Sequence, residues 1–89
     1  MRAIVTVTGC DRVGIIAEVC NLLSSVSINI LDINQTVMQE FFTMTMLVDM
    51  TACTAPFEQI QAALHKKGEE MKLSIRIQRE DIFHAMHRI

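Results

Sequence analysis

Apolar residues change their spacing abruptly near the start of this chain. From Ala3 to Thr8 every second side chain is suited to face a core, which predicts a half-buried β-strand. From Val13 onward the apolar residues recur at every third or fourth position, which predicts an amphipathic helix. Only a short loop bounded by Gly9 and Gly14 separates the two patterns, so the chain must pass from strand to helix within a few residues.

A second strand and a hairpin are predicted in the middle of the chain. Residues 28–33 are rich in β-branched side chains, and the parity of the apolar positions changes near Ile30, where we expect a bend or bulge. Gln39 and Glu40 are typical of a turn, and the apolar residues of 42–50 then alternate with polar ones. This region is therefore predicted to form antiparallel strands with a clear inward face.

The last third of the chain is predicted to add a helix, a strand and a short terminal helix. We expect Thr54 to cap the second helix, with Pro56 in its first turn, and Gly68 to end it. Alternation over 73–78 predicts a fourth strand. Apolar residues at helical spacing predict a C-terminal helix over about 80–88.

The predicted order β-α-β-β-α-β defines an α+β fold of the ferredoxin-like class. In this arrangement a four-stranded antiparallel sheet carries two helices on one face, and here a short C-terminal helix follows. The 89 residues suit one core, so we expect residues 1–89 to form a single domain. The opposite face of the sheet is predicted to stay open and to carry Ile4, Thr6, Thr8, Thr43, Thr45, Leu47 and Arg76.

Composition argues against several classes of partner. The net charge of −2, with acids and bases interspersed, gives no field that would attract nucleic acid or anionic lipid, and the open face lacks the aromatic residues that stack RNA bases. No apolar run approaches the roughly 18 residues that span a bilayer, so we expect a cytoplasmic protein without membrane contact. Because a small domain with an uncovered apolar sheet is hard to stabilise alone, we expect a homodimer.

The cysteines and histidines give weak signals for chemistry. Cys10, Cys20 and Cys53 are odd in number and lack a CxxC spacing, which argues against a disulfide framework and a structural zinc site. Cys10 lies just before a predicted helix start, where a thiol can become reactive, but an unreactive loop thiol is the commoner case. All three histidines lie in the last 25 residues. We therefore expect no enzyme, with a redox or hydrolytic role for Cys10 as the alternative.

One further group of residues has the spacing of metal ligands. Glu80, His84 and His87 fall at i, i+4 and i+7 of the predicted terminal helix, so one face would present three ligand side chains. A solvated polar face explains the same spacing, because the apolar residues of this segment occupy the other side. We therefore expect no metal and no cofactor.

The loop between the first strand and the first helix is the best candidate site. Asp11 is expected to cap the helix, and the unpaired amides of Val13, Gly14 and Ile15 would attract a carboxylate or phosphate without a basic side chain. Gly14 leaves room for a ligand or another backbone to approach closely. A tight turn with no ligand fits the same glycines, and that interpretation stays open.

Two segments of the sequence carry a resemblance to a known family. Gly9–Val19 contains an Asp-x-x-Gly-Ile turn, and Ile28-Asn29-Ile30 follows it. Together with the order of strands and helices along nearly the whole chain, these segments resemble the ACT domain, a small-molecule-sensing module of regulated enzymes of amino-acid metabolism. Residues 31–36 and the terminal helix are similar to the short stand-alone ACT proteins. Ser27 departs from the pattern, since a glycine often stands there.

The resemblance implies a non-enzymatic regulatory domain that senses an amino acid at a homodimer interface. The first loop of one subunit and residues around the second strand of the other would form the site, and the signal would pass to a regulated partner protein. The implied ligand-binding residues in this sequence are Cys10, Asp11, Arg12, Val13, Gly14, Ile15, Asn29 and Ile30. A ligand-independent module for dimerisation or protein–protein interaction is the alternative.

Overall fold

Four antiparallel strands and two helices make up the described part of the chain. This computed structural model describes residues 1–10 and 13–81. In chain order the elements are β1 (Arg2–Cys10), α1 (Ile15–Ser25), β2 (Asn29–Met38), β3 (Phe41–Asp49), α2 (Phe57–Met71) and β4 (Ser74–Arg79). The strands lie in the order β2-β3-β1-β4, and each neighbouring pair is antiparallel. The prediction of a ferredoxin-like fold is thereby confirmed.

The core lies between the two helices and one face of the sheet. Alternate strand residues reach that face, because successive side chains of a strand point to opposite sides. Methionines fill the centre of β3, where their flexible side chains take the place of larger rings in a chain without Trp or Tyr. The largest fully buried side chains among the described residues are Ile15, Leu23, Met44, Met46, Leu64, Val5, Val7, Val19 and Val48.

A β-bulge interrupts the pairing of β2 with β3. The register shifts between Ile30 and Asp32, so Leu31 is the extra residue of the bulged strand. The bend that the sequence predicts near Ile30 is confirmed. At the far end of β2 the chain turns through Gln39, which has a φ of 56°, and enters β3.

β2 also lies outside the cover of the two helices. Ile33 and Val37 pair with Met46 and Phe42, which are both buried, so the two β2 side chains point to the helical face of the sheet. Even so, every residue of 31–38 is exposed. The sheet therefore has an uncovered apolar margin along this edge strand.

α1 begins later than the sequence predicts. Gly14 is its N-cap and has a φ of 92°, a left-handed conformation that glycine adopts without a steric penalty. Gly14, and not Asp11, is thus the residue at the N-cap position, and the capping contact predicted for the Asp11 side chain stays a prediction. Asp11 and Arg12 themselves lie outside the described residues, as does the predicted terminal helix from residue 82 onward.

Both ends of α2 also differ from the prediction. Its N-cap is Pro56 rather than Thr54. The helix continues through Gly68, where a Cβ would lie only 2.7 Å from the carbonyl oxygen of Leu73, so this glycine permits close packing instead of ending the helix. Lys72 ends the helix as its C-cap, with a left-handed φ of 58°. Neither described helix is long and apolar enough to cross a membrane.

Candidate functional site

An open groove lies between the first turn of α1 and the uncovered edge of the sheet. Its position follows from the strand register, because Gly9 pairs with Phe42 and Phe42 pairs with Val37. The end of β1, the start of α1 and the end of β2 therefore meet at the same end of the sheet. The groove has a volume of about 530 Å³ and is lined by Gly14, Ile15, Ile16, Ala17, Gln35, Val37 and Phe42.

Free backbone amides at the start of α1 give this groove its polarity. The first bond within the helix runs from the Glu18 N–H to the Gly14 carbonyl oxygen, at 2.9 Å. The amides of Ile15, Ile16 and Ala17 precede that bond and so have no acceptor within the helix, and no side chain of residues 1–10 and 13–81 caps the helix start. These amides and the helix dipole favour an anionic group such as a carboxylate.

The remaining lining of the groove is mostly apolar. Gln35 is its one polar side chain among the described residues, and it carries no net charge. Ile16 and Val37 form exposed walls, and Phe42 forms a buried floor. The groove therefore suits a small molecule with one anionic group and limited further charge.

Glu18 lies in the first turn of α1, but it does not line the groove. Its Oε2 accepts a hydrogen bond from the Nζ of Lys67 on α2, at 3.1 Å. This bond is the main reason that the pKa of Lys67 is raised, and a weaker contribution comes from Glu70. The carboxylate that lies nearest to the free amides in sequence is therefore held on the side of α1 that faces α2.

The structure brings only part of the predicted site together. Gly14 and Ile15 line the groove, and Val13 stands beside them with 98% of its surface exposed. Cys10, also exposed, ends β1 opposite Phe41 and does not line the groove. The amides without an acceptor in the helix start two residues later than the sequence suggests, at Ile15 rather than at Val13.

Asn29 and Ile30 lie far from the groove within one chain. Asn29 pairs with Asp49, whereas the groove lies level with Phe42. These two positions of β3 are separated by about 24 Å, at roughly 3.4 Å per residue. A site that combines the first loop with Asn29 therefore requires two subunits.

Several lining residues were missed at the level of sequence. Ile16, Ala17, Gln35, Val37 and Phe42 reach the groove through the start of α1 and the pairing of β2 with β3. Val37 carried a usable signal, because its parity places an apolar side chain on the helical face of an edge strand. Gln35 has no such local signal.

Burial and an ion pair define the settings of Cys20 and Glu80. Burial raises the pKa of the Cys20 thiol, which makes its thiolate less accessible. Glu80 pairs with Arg2, whose Nε lies 2.6 Å from its Oε2. Within residues 1–10 and 13–81 no three potential ligand side chains converge on a metal position. His84 and His87 lie outside these residues, so their grouping with Glu80 stays a prediction.

A second groove runs along the opposite edge of the sheet. It has a volume of about 300 Å³ and lies between α2 and β4. His65 on its rim is already paired with Glu69, with Nε2 3.1 Å from Oε1. None of the residues that line this groove belongs to the first turn of α1 or α2, so the first groove is the stronger candidate.

Strand order, helix positions and the groove at the first helix define a small ferredoxin-like domain of the α+β class. A model of the ACT domain family matches residues 2–78, and the chain belongs to that family, whose members are in general regulatory ligand-binding domains. It is 48% identical to a UPF0237 protein of Listeria monocytogenes over 89 residues, which cover 100% of both chains.

Solved structures agree with this assignment. An ACT domain protein from Streptococcus pneumoniae superposes with a TM-score of 0.83 and 37% identity, and the match covers 98% of each chain. A formyltetrahydrofolate deformylase from Pseudomonas syringae contains a similar region, with a TM-score of 0.75 and 27% identity over 88% of this chain and 27% of that one. The same fold thus occurs both in a chain of this size and within a larger enzyme.

Proposed function

We propose that this ACT domain is a non-enzymatic sensor that binds an amino acid at a homodimer interface. The observation that carries the proposal is the set of free amides of Ile15, Ile16 and Ala17, which stand beside a groove on the uncovered edge of the sheet. The ligand carboxylate binds these amides. Its ammonium group binds a side-chain oxygen. The candidates are Gln35 and Asp11 of the same chain and Asn29 of the partner subunit.

The signal arises because the affinity of the ligand for the dimer differs from its affinity for the monomer. A ligand that touches both subunits stabilises the pair by that difference, and a regulated partner protein then reads the change. The exposed margin of β2 supports the homodimer, because Ile33 and Val37 face the helical side of the sheet without a helix over them.

A titration with single amino acids tests this function. The amide resonances of Ile15, Ile16 and Ala17 are followed by NMR while each amino acid is added to millimolar concentration. We expect at least one amino acid to shift these three resonances and to raise the melting temperature. If the whole panel leaves both observables unchanged, the proposal is wrong.

A matched pair of variants adds a control for the carboxylate. Val37→Asp places a negative charge in the groove. Val37→Asn introduces a side chain of the same size and shape as Asp but without the charge. We expect the Asp variant to bind the amino acid about ten-fold or more weakly than the Asn variant, because like charges repel in a partly desolvated site. Equal affinities would show that the carboxylate binds elsewhere.

A ligand-independent interaction module is the second candidate. The exposed apolar margin of β2 favours it, since that surface needs a partner whether or not the groove is used. Sedimentation of the protein with and without amino acids separates the two candidates. A dimer whose stability is the same under both conditions supports the module and contradicts the sensor.

A further inference from the structure

The second groove of the molecule lies along the outer edge of β4. Residues 75–78 of this strand line it without a break, and Gln61 and His65 of α2 form its other side. β4 is the last strand of the sheet, and among the described residues its one neighbouring strand is β1. The floor of the groove is therefore the backbone edge of a strand that has no strand partner on its outer side.

We propose that this edge binds an extended peptide segment of a partner protein, in which acidic residues alternate with small apolar residues. The segment adds a strand to the sheet beside β4 and fills the groove with its apolar side chains. This site lies at the edge of the sheet opposite the groove at α1, so it is separate from the site of the proposed function. It gives a regulated partner protein a surface by which to recognise the domain.

Arg76 determines which charge an added strand needs on the open face of the sheet. It pairs with Thr6, which alternates with the buried Val5 and Val7, so the exposed Arg76 side chain lies on the face away from the helices. No carboxylate of the described residues forms an ion pair with Arg76. Ser74–Arg79 itself contains no acidic residue. A carboxylate of an added strand is therefore suited to pair with Arg76.

The helical side of the same edge requires a different type of residue. Ile75 and Ile77 are buried there, with 5% and 4% of their surface exposed, and they line the groove together with Gln61 and His65. The imidazole of His65 is already paired with Glu69, so a second carboxylate on this side would meet a like charge. A small apolar side chain beside the two isoleucines fills the groove of about 300 Å³ without burying a charge.

These two requirements together define an alternating pattern, because successive side chains of a strand point to opposite faces. A second copy of β4 does not have this pattern, since its two arginines would bring like charges together at the new pair of strands. Residues 82–89 of this chain do not have it either, because they contain no Asp or Glu. The occupant that fits the edge is therefore a different protein with an acidic, extended segment.

Two synthetic peptides test the proposal on the full chain. Acetyl-Val-Glu-Val-Glu-Val-amide has the required pattern, and acetyl-Val-Gln-Val-Gln-Val-amide has a similar shape without the charges. Amide hydrogen exchange, followed by NMR, reports main-chain pairing, because the β4 amides that point away from β1 become protected when a strand is added. With the acidic peptide at ten times its Kd, we expect exchange at alternate residues of 74–79 to slow about ten-fold. We expect the neutral peptide to bind about three-fold or more weakly.

A matched pair of variants tests the role of Arg76. Arg76→Gln removes the charge on the open face, and Lys66→Gln removes the same charge from an exposed position of α2 that does not line the groove. We expect Arg76→Gln to bind both peptides with about equal affinity, whereas Lys66→Gln keeps the preference for the acidic peptide. If Arg76→Gln keeps that preference as well, the proposed pairing is wrong.

Three further results would overturn the proposal. The first is an acidic peptide that gives no protection of the β4 amides. The second is succinate that shifts the β4 resonances as strongly as the peptide does, which would make the edge a site for small anions. The third is a change in the sedimentation of the protein alone on Arg76→Gln, which would make a second copy the occupant. None of these measurements involves a free amino acid, so the proposed sensor and the peptide site can fail independently.

Discussion

Lys67 of α2 holds Glu18 of α1 in an ion pair, with Nζ 3.1 Å from Oε2. Both side chains are partly exposed, so the pair adds little to stability. Its position has a larger consequence, because helical side chains lean toward the N-terminus of their helix. A released Glu18 carboxylate would move toward the free amides of the first turn and compete with the carboxylate of a ligand.

Lys67→Gln is therefore expected to lower amino-acid affinity, whereas Glu18→Gln is not. The first leaves a free negative charge near the start of α1 and lowers affinity about two- to five-fold, and the second removes that charge and keeps or raises affinity. Both variants break the same ion pair, so a purely structural role would shift them alike. Calorimetric titration at low salt measures the difference, and the double variant is expected to match Glu18→Gln.

Gly68→Ala is expected to destabilise the protein although alanine is the better helix former. The gain in helix propensity is at most about 1 kcal/mol, whereas a Cβ 2.7 Å from the Leu73 carbonyl oxygen forces a backbone shift that costs about 1–3 kcal/mol. Ala62→Gly, at an exposed position of the same helix, is the control and is expected to cost about 1 kcal/mol. Urea unfolding measures both. If Gly68→Ala were more stable than the wild type, the backbone of the α2–β4 turn would have to shift at little energetic cost.

The strands and the bulge are the parts of the fold that sequence predicts well. Val5 and Val7 alternate with threonines, and the parity change near Ile30 marks the bulge, because both signals arise from neighbours in the chain. The ends of the helices are harder. Gly68 looks like a helix stop, and only the position of Leu73 shows that it is a packing contact instead.

The residues of the candidate site show the same contrast between local and non-local signals. Gly14 and Ile15 follow from the local strand-to-helix transition, which the sequence displays directly. Gln35 and Val37 join them through the pairing of β2 with β3, a non-local arrangement that a single sequence does not encode in any short segment. Asn29 lies at the other end of the sheet, so the site that the ACT resemblance implies needs the second subunit.

Lys72→Gly is expected to stabilise the protein. Lys72 ends α2 with a φ of 58°, and a residue with a Cβ pays about 1 kcal/mol or more in this left-handed conformation. Part of that gain is offset because glycine has more freedom in the unfolded chain, so we expect a net increase of about 0.5–1 kcal/mol. Lys72→Ala keeps the Cβ and serves as the control, with little change expected. Equal stability of the Gly and Ala variants in urea would contradict this account.

Asp49 gives the fold a dependence on acid pH. Its Oδ1 accepts bonds from the hydroxyl of Thr51, at 2.6 Å, and from the Thr51 N–H, at 2.9 Å. The hydroxyl bond is the largest cause of a lowered pKa for this carboxyl group. Because the pKa is lower in the folded than in the unfolded state, Asp49 stabilises the fold above the unfolded value of about 3.9 and loses that contribution as the pH falls through the folded value.

Thr51→Val removes the hydroxyl donor and keeps the backbone donor, so it isolates the larger cause of this effect. We expect the variant to lose less stability than the wild type between pH 5 and pH 3, and Asp49→Asn to lose the Asp49 contribution altogether. Urea unfolding at half-unit intervals of pH measures the slopes, and the m-value checks that the denatured state is unchanged. The positive charges of Arg2 and of the amino terminus also favour the ionised form of Asp49. A small slope of stability against pH therefore persists in Thr51→Val. If Thr51→Val and wild type follow the same curve, the hydroxyl bond contributes nothing to the acid dependence, and the explanation in terms of Thr51 is wrong.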